Sequence, residues 1–422
     1  MSVYTEEKLM QMSVHTLRVV LRTEFNGVPG VCNKSELIDQ ILSIQAGGKA
    51  PSRSTKGRKP LGRFITPIDA TVSLADEAVG KERVRGLVEL CDEGYANLKV
   101  KRGSGTFTDC FIPRILVSRY SMCSGDEVDG EIGYEEGNKL ATLQSVHFIN
   151  GKDPVGRMPF DFLSLSSQYP TEKLSLDSKI ANIRAVDEFC PIGKGQRCII
   201  EDCSGKFATD FVNGIASSLR DTNLHVFFIT VGVKPEALNG LSPKEGREVM
   251  NLPIGADTEE ILRSVNVVVE RAKILTALGN DVVIVIDSLS YLANVYEEYL
   301  SVDKRHSGFI RTNLTKNGYA REIFSIGGNF GENKSLTVIA TFKTATEEKM
   351  LEELVSTATS VIRLKGCDAL ERRGYVVDLI NSYTEKDELL LTKEQIERAD
   401  CRREGLAKDQ DYLVEIYKDL SK

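Results

Sequence analysis

The sequence predicts a multidomain α+β chain: a small N-terminal helical domain, then a small β-barrel, then a C-terminal α/β core on a mostly parallel sheet. Three observations predict it. Apolar residues recur at helical spacing near the N-terminus, and five short β-type runs crowd residues 84–148. From residue 191 onward, apolar strands alternate with amphipathic helices. A chain of 422 residues has length enough for two or three such domains.

Composition narrows the class. Hydrophobic residues make up 41% and charged residues 27%, an ordinary balance for a soluble protein. No run approaches the roughly twenty apolar residues that span a bilayer, so no membrane partner is expected. Residues 1–11 carry acids and no apolar stretch, unlike a secretory leader. The nine cysteines are scattered, form no CxxC pair and have no histidines nearby. Reduced thiols in a cytoplasmic protein are expected, rather than a disulfide framework or a zinc site.

In order along the chain, residues 1–46 form the helical domain. Leu17, Val20, Leu21 and Phe25 mark one helix, and Leu37, Ile38, Ile41 and Leu42 mark a second. The run Asn26-Gly27-Val28-Pro29-Gly30 stops the first, and Asn33 can cap the second. Residues 47–80 read as a flexible basic linker bearing Lys49, Arg53, Lys56, Arg58, Lys59 and Arg63. Residues 1–63 hold ten Lys/Arg against five Asp/Glu in a chain of net charge −7. That basic lead on an acidic body is either a solvated tether or a phosphate-contacting arm.

Residues 81–150 form the barrel domain, with strands at 84–90, 95–100, 109–112, 127–132 and 140–148 and turn signals between them. Five short strands in this length suggest an OB-type barrel. Residues 151–188 read as a polar connector with little periodicity. The core, 189–422, has strands at 198–201, 226–231, 282–286 and 336–341, with helices at 209–220 and 258–278.

The strand 282–286 runs into Asp287-Ser288, either the plain end of a buried strand or the way a RecA-like sheet sets a carboxylate at its carboxyl edge beside Mg²⁺. The matching loop should read G-x-x-x-x-G-K-[ST], with backbone N–H groups and a lysine holding phosphates. Here residues 201–209 read EDCSGKFAT. Lys206 comes too soon after the strand, Phe207 stands where a hydroxyl should reach the metal, and Glu201 and Asp202 would oppose a triphosphate.

With these residues in view, the chain resembles the bacterial transcription termination factor Rho family, as a divergent member. PIGKGQR at 191–197 resembles the entry to that family's ATPase core. DVVIVIDSLSYLANVY at 281–296, SLTVIAT at 335–341 and KDELLL at 386–391 continue the likeness. GLVELCDEGYANLK at 86–99 and residues 109–133 are similar to the family's RNA-binding barrel, and 17–42 to its helical domain.

Aligned without gaps from PIGKGQR, Ala208 takes the place of the phosphate-binding lysine and Phe207 that of the preceding glycine. Thr209, the metal-side hydroxyl, is kept. Val233 occupies the position of the general base and Glu385 that of the arginine finger, so no catalytic residue is expected. Tyr291 and Asn294 replace two arginines, and the loop carrying a pore lysine shortens to Val355-Ser356-Thr357-Ala358.

The resemblance implies ATP and Mg²⁺ as cofactors, and the departures imply weak binding or none. Lys194, Lys206, Thr209 and Asp287 would hold any nucleotide, with Thr209 and Asp287 toward Mg²⁺. For RNA it implies Tyr95 as a stacking platform, or equally a barrel-packing residue, with Lys99, Lys101 and Arg102 beside it; Asn97 fills a second stacking position. Single-stranded RNA, a hexameric ring, and co-assembly with an active Rho or with RNA polymerase are the implied partners. The expected function is RNA binding in termination or its regulation, without ATP hydrolysis. A working RNA-dependent ATPase and a recruited scaffold with no RNA role are the alternatives.

Overall fold

Apolar alternation sets the barrel strands and unbroken apolar runs set those of the core, whose ends place the site. The computed structural model describes residues 5, 9–10, 17, 20–21, 34–45, 82–102, 106–134, 140–157, 162–202, 204–219, 223–234, 236, 246–253, 255–301, 308–332, 334–343, 347–367 and 374–421. The chain divides into two units, Met1–Arg63 and Phe64–Lys422.

In the first unit, α1 (Lys34–Gln45) buries Leu37, Ile38 and Ile41. They join Leu9, Leu17, Val20 and Leu21 in a small apolar core. The Lys34 ammonium donates to the Met10 carbonyl at 2.6 Å. Phe25, the Asn33 cap, the stop at 26–30 and the basic run 49–63 lie outside the described residues.

The second unit opens with the barrel: β1 (Glu82–Leu90), β2 (Ala96–Arg102), β3 (Thr106–Ile112), α2 (Arg114–Arg119), β4 (Glu127–Gly133) and β5 (Thr142–Ile149). The strands close in the order β1-β2-β3-β5-β4. Every second residue turns inward, and Val84, Val88, Leu98, Val100, Val128 and Ile132 fill the interior.

The segment read as a polar connector with little periodicity holds a helix at its end. It contains α3 (Ala181–Phe189), whose Ile183, Val186 and Phe189 are buried. The helix is only nine residues long, and Ile183, Val186 and Phe189 recur at helical spacing on its buried face.

The core then runs β6 (Arg197–Asp202), α4 (Ala208–Ser218), β7 (Leu224–Val231), β8 (Arg247–Leu252), α5 (Thr258–Ala277), β9 (Asp281–Asp287) and α6 (Leu289–Ser301). It continues α7 (Lys316–Ser325), β10 (Gly328–Asn329), β11 (Ser335–Phe342), α8 (Glu348–Val355), β12 (Ser360–Gly366), β13 (Tyr375–Val377) and β14 (Tyr383–Thr384). Two helices close it, α9 (Lys393–Lys408) and α10 (Tyr412–Leu420). The sheet order is β13-β12-β6-β11-β9-β7-β8, with β10 beside β11 and β14 beside β12. The six strands from β12 to β8 run parallel.

Both faces of this sheet are covered, which is why its strands read as unbroken apolar runs. Along β9, Val282, Ile284 and Ile286 pack into one core with residues of α5 to α8, while Val283 and Val285 pack into the other with α3, α4, α9 and α10. Asp257 caps α5, its side chain accepting from the Glu259 and Glu260 amides. The parallel register sets Ala340 beside Ile286 and Phe342 beside Glu201. Strands β6, β9 and β11 therefore end together, with Asp202, Asp287 and Lys343 at one edge.

Candidate functional site

At that carboxyl edge the loop from β6 to α4 folds back on its own first residue. The Asp202 side chain is fully buried. Its Oδ1 accepts from the Ser204 amide (3.0 Å), the Ser204 hydroxyl (2.8 Å) and the Gly205 amide (3.0 Å). Its Oδ2 accepts from the Phe207 amide (2.7 Å) and the Ala208 amide (2.8 Å). Gly205 makes the fold-back possible, with φ at +66°, where a side chain would be strained. The remaining amide, of Lys206, donates to the Ser204 hydroxyl at 3.2 Å. Each backbone N–H from Ser204 to Ala208 thus has an acceptor within the chain.

Consecutive amides at a helix N-terminus, with the helix dipole behind them, form an anion cradle. Here the anion is a side chain of the loop itself. The Ala208 methyl is fully buried and supplies no charge. Lys206 is exposed on the loop surface. Phe207 stacks on Tyr375 with ring centroids 4.9 Å apart, and the Tyr375 hydroxyl donates to Asp210 at 2.8 Å.

The structure does bring Thr209 and Asp287 together. The Thr209 hydroxyl donates to Asp287 Oδ2 at 2.6 Å, and the Thr341 hydroxyl to Oδ1 at 2.7 Å. Asp287 is buried, and the Lys343 ammonium lies 3.5 Å from its Oδ1. Sequence reasoning missed Thr341 and Lys343. The signal was available only as SLTVIAT followed by Phe-Lys, a basic residue two places past the strand's last hydroxyl.

The other expected positions scatter. Lys194 pairs with Glu172 (2.5 Å) and with Asp281 (3.1 Å), the first residue of β9. Burial works against its charge, but the two carboxylates outweigh that and raise its pKa. It therefore stands at the amino edge, the length of a strand away from Asp287, and is not gathered into the site. Val233 is buried, beside Gly232, against which the Tyr291 ring packs. Asn294 faces Lys316 at 3.5 Å. Glu385 accepts from the Tyr169 hydroxyl at 3.4 Å. The turn after α8 gives the Thr357 carbonyl to Arg197 at 2.7 Å.

On the barrel, Tyr95 is half-buried between Phe111 (5.6 Å) and Phe309 (6.0 Å, edge-on). Burial and the neighbouring Cys91 raise its hydroxyl pKa. Lys99 lies 3.4 Å from Asp109 and 3.6 Å from Glu89. Glu89 is held in turn by both arms of Arg263, from α5, which also stacks on Phe309 at 4.3 Å. A cation expected to face RNA is thus built into a buried ion cluster between barrel and core. Asn97 lies on β2, paired with Phe111 of β3. Lys101 and Arg102 also lie on β2, but their side chains are outside the described residues.

A second cluster docks the barrel on α5. Arg271 donates to the Asn150 side chain at 2.7 Å and to Glu127 at 3.0 Å. Gly125 abuts the helix backbone so closely that a Cβ there would lie 2.3 Å from the Arg271 nitrogen.

Residues 84–155 match the family model described as Rho termination factor, RNA-binding domain. The chain is similar to transcription termination factor Rho from Borreliella burgdorferi, 27% identical over 74% of this chain and 62% of that protein. It is similar to Rho from Micrococcus luteus at 26% over 78% of this chain and 50% of that protein. With Rho from Thermotoga maritima the identity is 29%, over 78% of this chain and 80% of that protein. The chain thus spans less than two thirds of the first of these relatives and half of the second.

Proposed function

We propose that the chain, similar to Rho proteins over most of its length, is a divergent member of that family: an RNA-binding protein acting in transcription termination or its regulation without hydrolysing ATP. The observation that carries the reading is the loop of residues 202–208, where the Asp202 carboxylate takes the amides that would otherwise cradle phosphate. Ala208 at the lysine position, Val233 at the general-base position and Glu385 at the arginine-finger position support it. An arginine finger alone contributes on the order of 10³–10⁵ in rate.

RNA binding then rests on the barrel. Tyr95, half-exposed beside Phe111 and Phe309, would offer a stacking surface, and Lys101 and Arg102 would offer charge for the backbone. Lys99 serves the barrel's own ion cluster. A ring of like subunits, or a mixed ring with an active Rho, follows from the family; Glu385 at the finger position would leave a neighbouring site without its arginine.

An RNA-stimulated ATPase assay with filter binding to pyrimidine-rich RNA tests this. The expected result is binding that weakens on Tyr95→Ala, by roughly 1–3 kcal/mol for one stacked base, with no turnover. Turnover that disappears on Lys206→Ala would overturn the reading in favour of a working motor. Absence of RNA binding would overturn it in favour of a scaffold with another task.

A further inference from the structure

Membership of the Rho family implies a nucleotide and Mg²⁺ at the carboxyl edge, and the residues present do not fit them. The cradle amides are engaged by Asp202, and the metal-side carboxylate of Asp287 already has a cation beside it. We propose that this chain carries, in its own side chains, the two charges a nucleotide and its metal would bring: the Asp202 carboxylate in place of a phosphate, and the Lys343 ammonium in place of the cation. This deepens the reading of a non-hydrolysing protein and rests on it.

The geometry is that of a filled site rather than an eroded one. One buried carboxylate collects four amides and a hydroxyl, the coordination by which a helix N-terminus holds an anion. Asp287, equally buried, would be costly to leave as an unpaired charge. Two hydroxyls and Lys343 satisfy it. Lys343 is itself positioned, since its backbone amide donates to the Ser290 hydroxyl at 3.2 Å. A Cβ on Gly205 would lie 3.9 Å from the Lys343 Cβ, so the lysine stem borders the Asp202 loop. The two substituted charges are neighbours. The stacked Phe207 and Tyr375 rings flank the same loop. The charge pattern of a loaded core is consequently written into the chain itself.

The test uses the full chain with inorganic pyrophosphate and Mn²⁺ as probes, read by thermal unfolding and by Mn²⁺ titration. The wild-type midpoint should not move with millimolar pyrophosphate or Mn²⁺. Asp202→Gly should melt lower and recover in pyrophosphate, which enters the vacated cradle. Lys343→Met should bind Mn²⁺ on the order of tenfold more tightly than wild type. Asp202→Asn, which keeps the shape and removes the charge, should melt lower without recovery, and it carries the test if the glycine variant does not fold. A wild-type midpoint raised by pyrophosphate, an Asp202→Asn midpoint equal to wild type, or no gain in Mn²⁺ affinity at Lys343→Met would each overturn the proposal. Filter binding on the same preparations keeps the two readings apart: a wild type that binds no RNA ends the functional reading and leaves the substituted charges standing.

Discussion

Arg263 and Glu89, each about 5% exposed, form the most deeply buried ion pair between barrel and core among the described residues. Removing Arg263 leaves the buried Glu89 with Lys99 alone, at 3.6 Å, so Arg263→Ala should cost up to about 3–5 kcal/mol in urea unfolding. Replacing both with apolar residues of similar volume should cost far less, because the desolvation of two charges is then relieved. Thr341→Val removes one of the two hydroxyls on Asp287 and should cost about 1–3 kcal/mol in the same measurement. Thiol chemistry offers a further check. Burial pushes the Cys198 thiol up to about 12, and Cys401 is exposed. Alkylation at pH 8, followed by peptide mass analysis, should label Cys401 and spare Cys198, since the thiolate is the reactive form. At this scale the sequence is only partly legible. Asp287 is readable from the end of its strand and Thr209 from the family resemblance, and the two do meet. Asp202 is visible as an acid opposing phosphate, but its turn into the loop depends on a positive φ at Gly205, which residue order does not display. Lys194 sits in a readable motif, yet its position at the amino edge follows from the chain path before β6.

Among the elements, β9 is the easiest to read, because five consecutive apolar residues flanked by aspartates match a strand buried on both faces. The barrel strands are legible from their alternation. Helix α3 carries a helical apolar spacing but over only nine residues, and β13 and β14, at three and two residues, are too brief to leave a pattern. Helix α5 is legible as an amphipathic run, but its second role is not. It presents Arg263 and Arg271 to the barrel, eight residues and so about two turns apart. Between α2 and β4, Gly125 lets the turn lie against the helix. Gly125→Ala should separate barrel from helix, because the added carbon has no room and the backbone sits at φ +84°. Hydrogen exchange should then rise in β1, β4 and the barrel-facing side of α5, while β9 and β11 stay protected.

For the molecule as a whole, two ion clusters on one helix make the barrel and the parallel-sheet core a single mechanical body. Heat should unfold them in one calorimetric transition, and Arg263→Ala should split it in two. The same coupling predicts how RNA affinity responds to salt. Deleting a cation that neutralises one phosphate reduces the slope of log affinity against log salt by about 0.7 for single strands. Lys99→Ala should lower the melting temperature and leave that slope unchanged, because its charge is spent on Glu89 and Asp109; a shallower slope would identify Lys99 as a phosphate ligand after all. The loop at Asp202 has one more consequence, for ancestry. A chain that had merely lost a lysine could regain it by a single change. Here a single change at Asp202 leaves its amides without an acceptor, and one at Lys343 leaves Asp287 without its cation, before any benefit appears. On the proposed reading the arrangement acts as a ratchet: each of the two substituted charges holds the other changes in place.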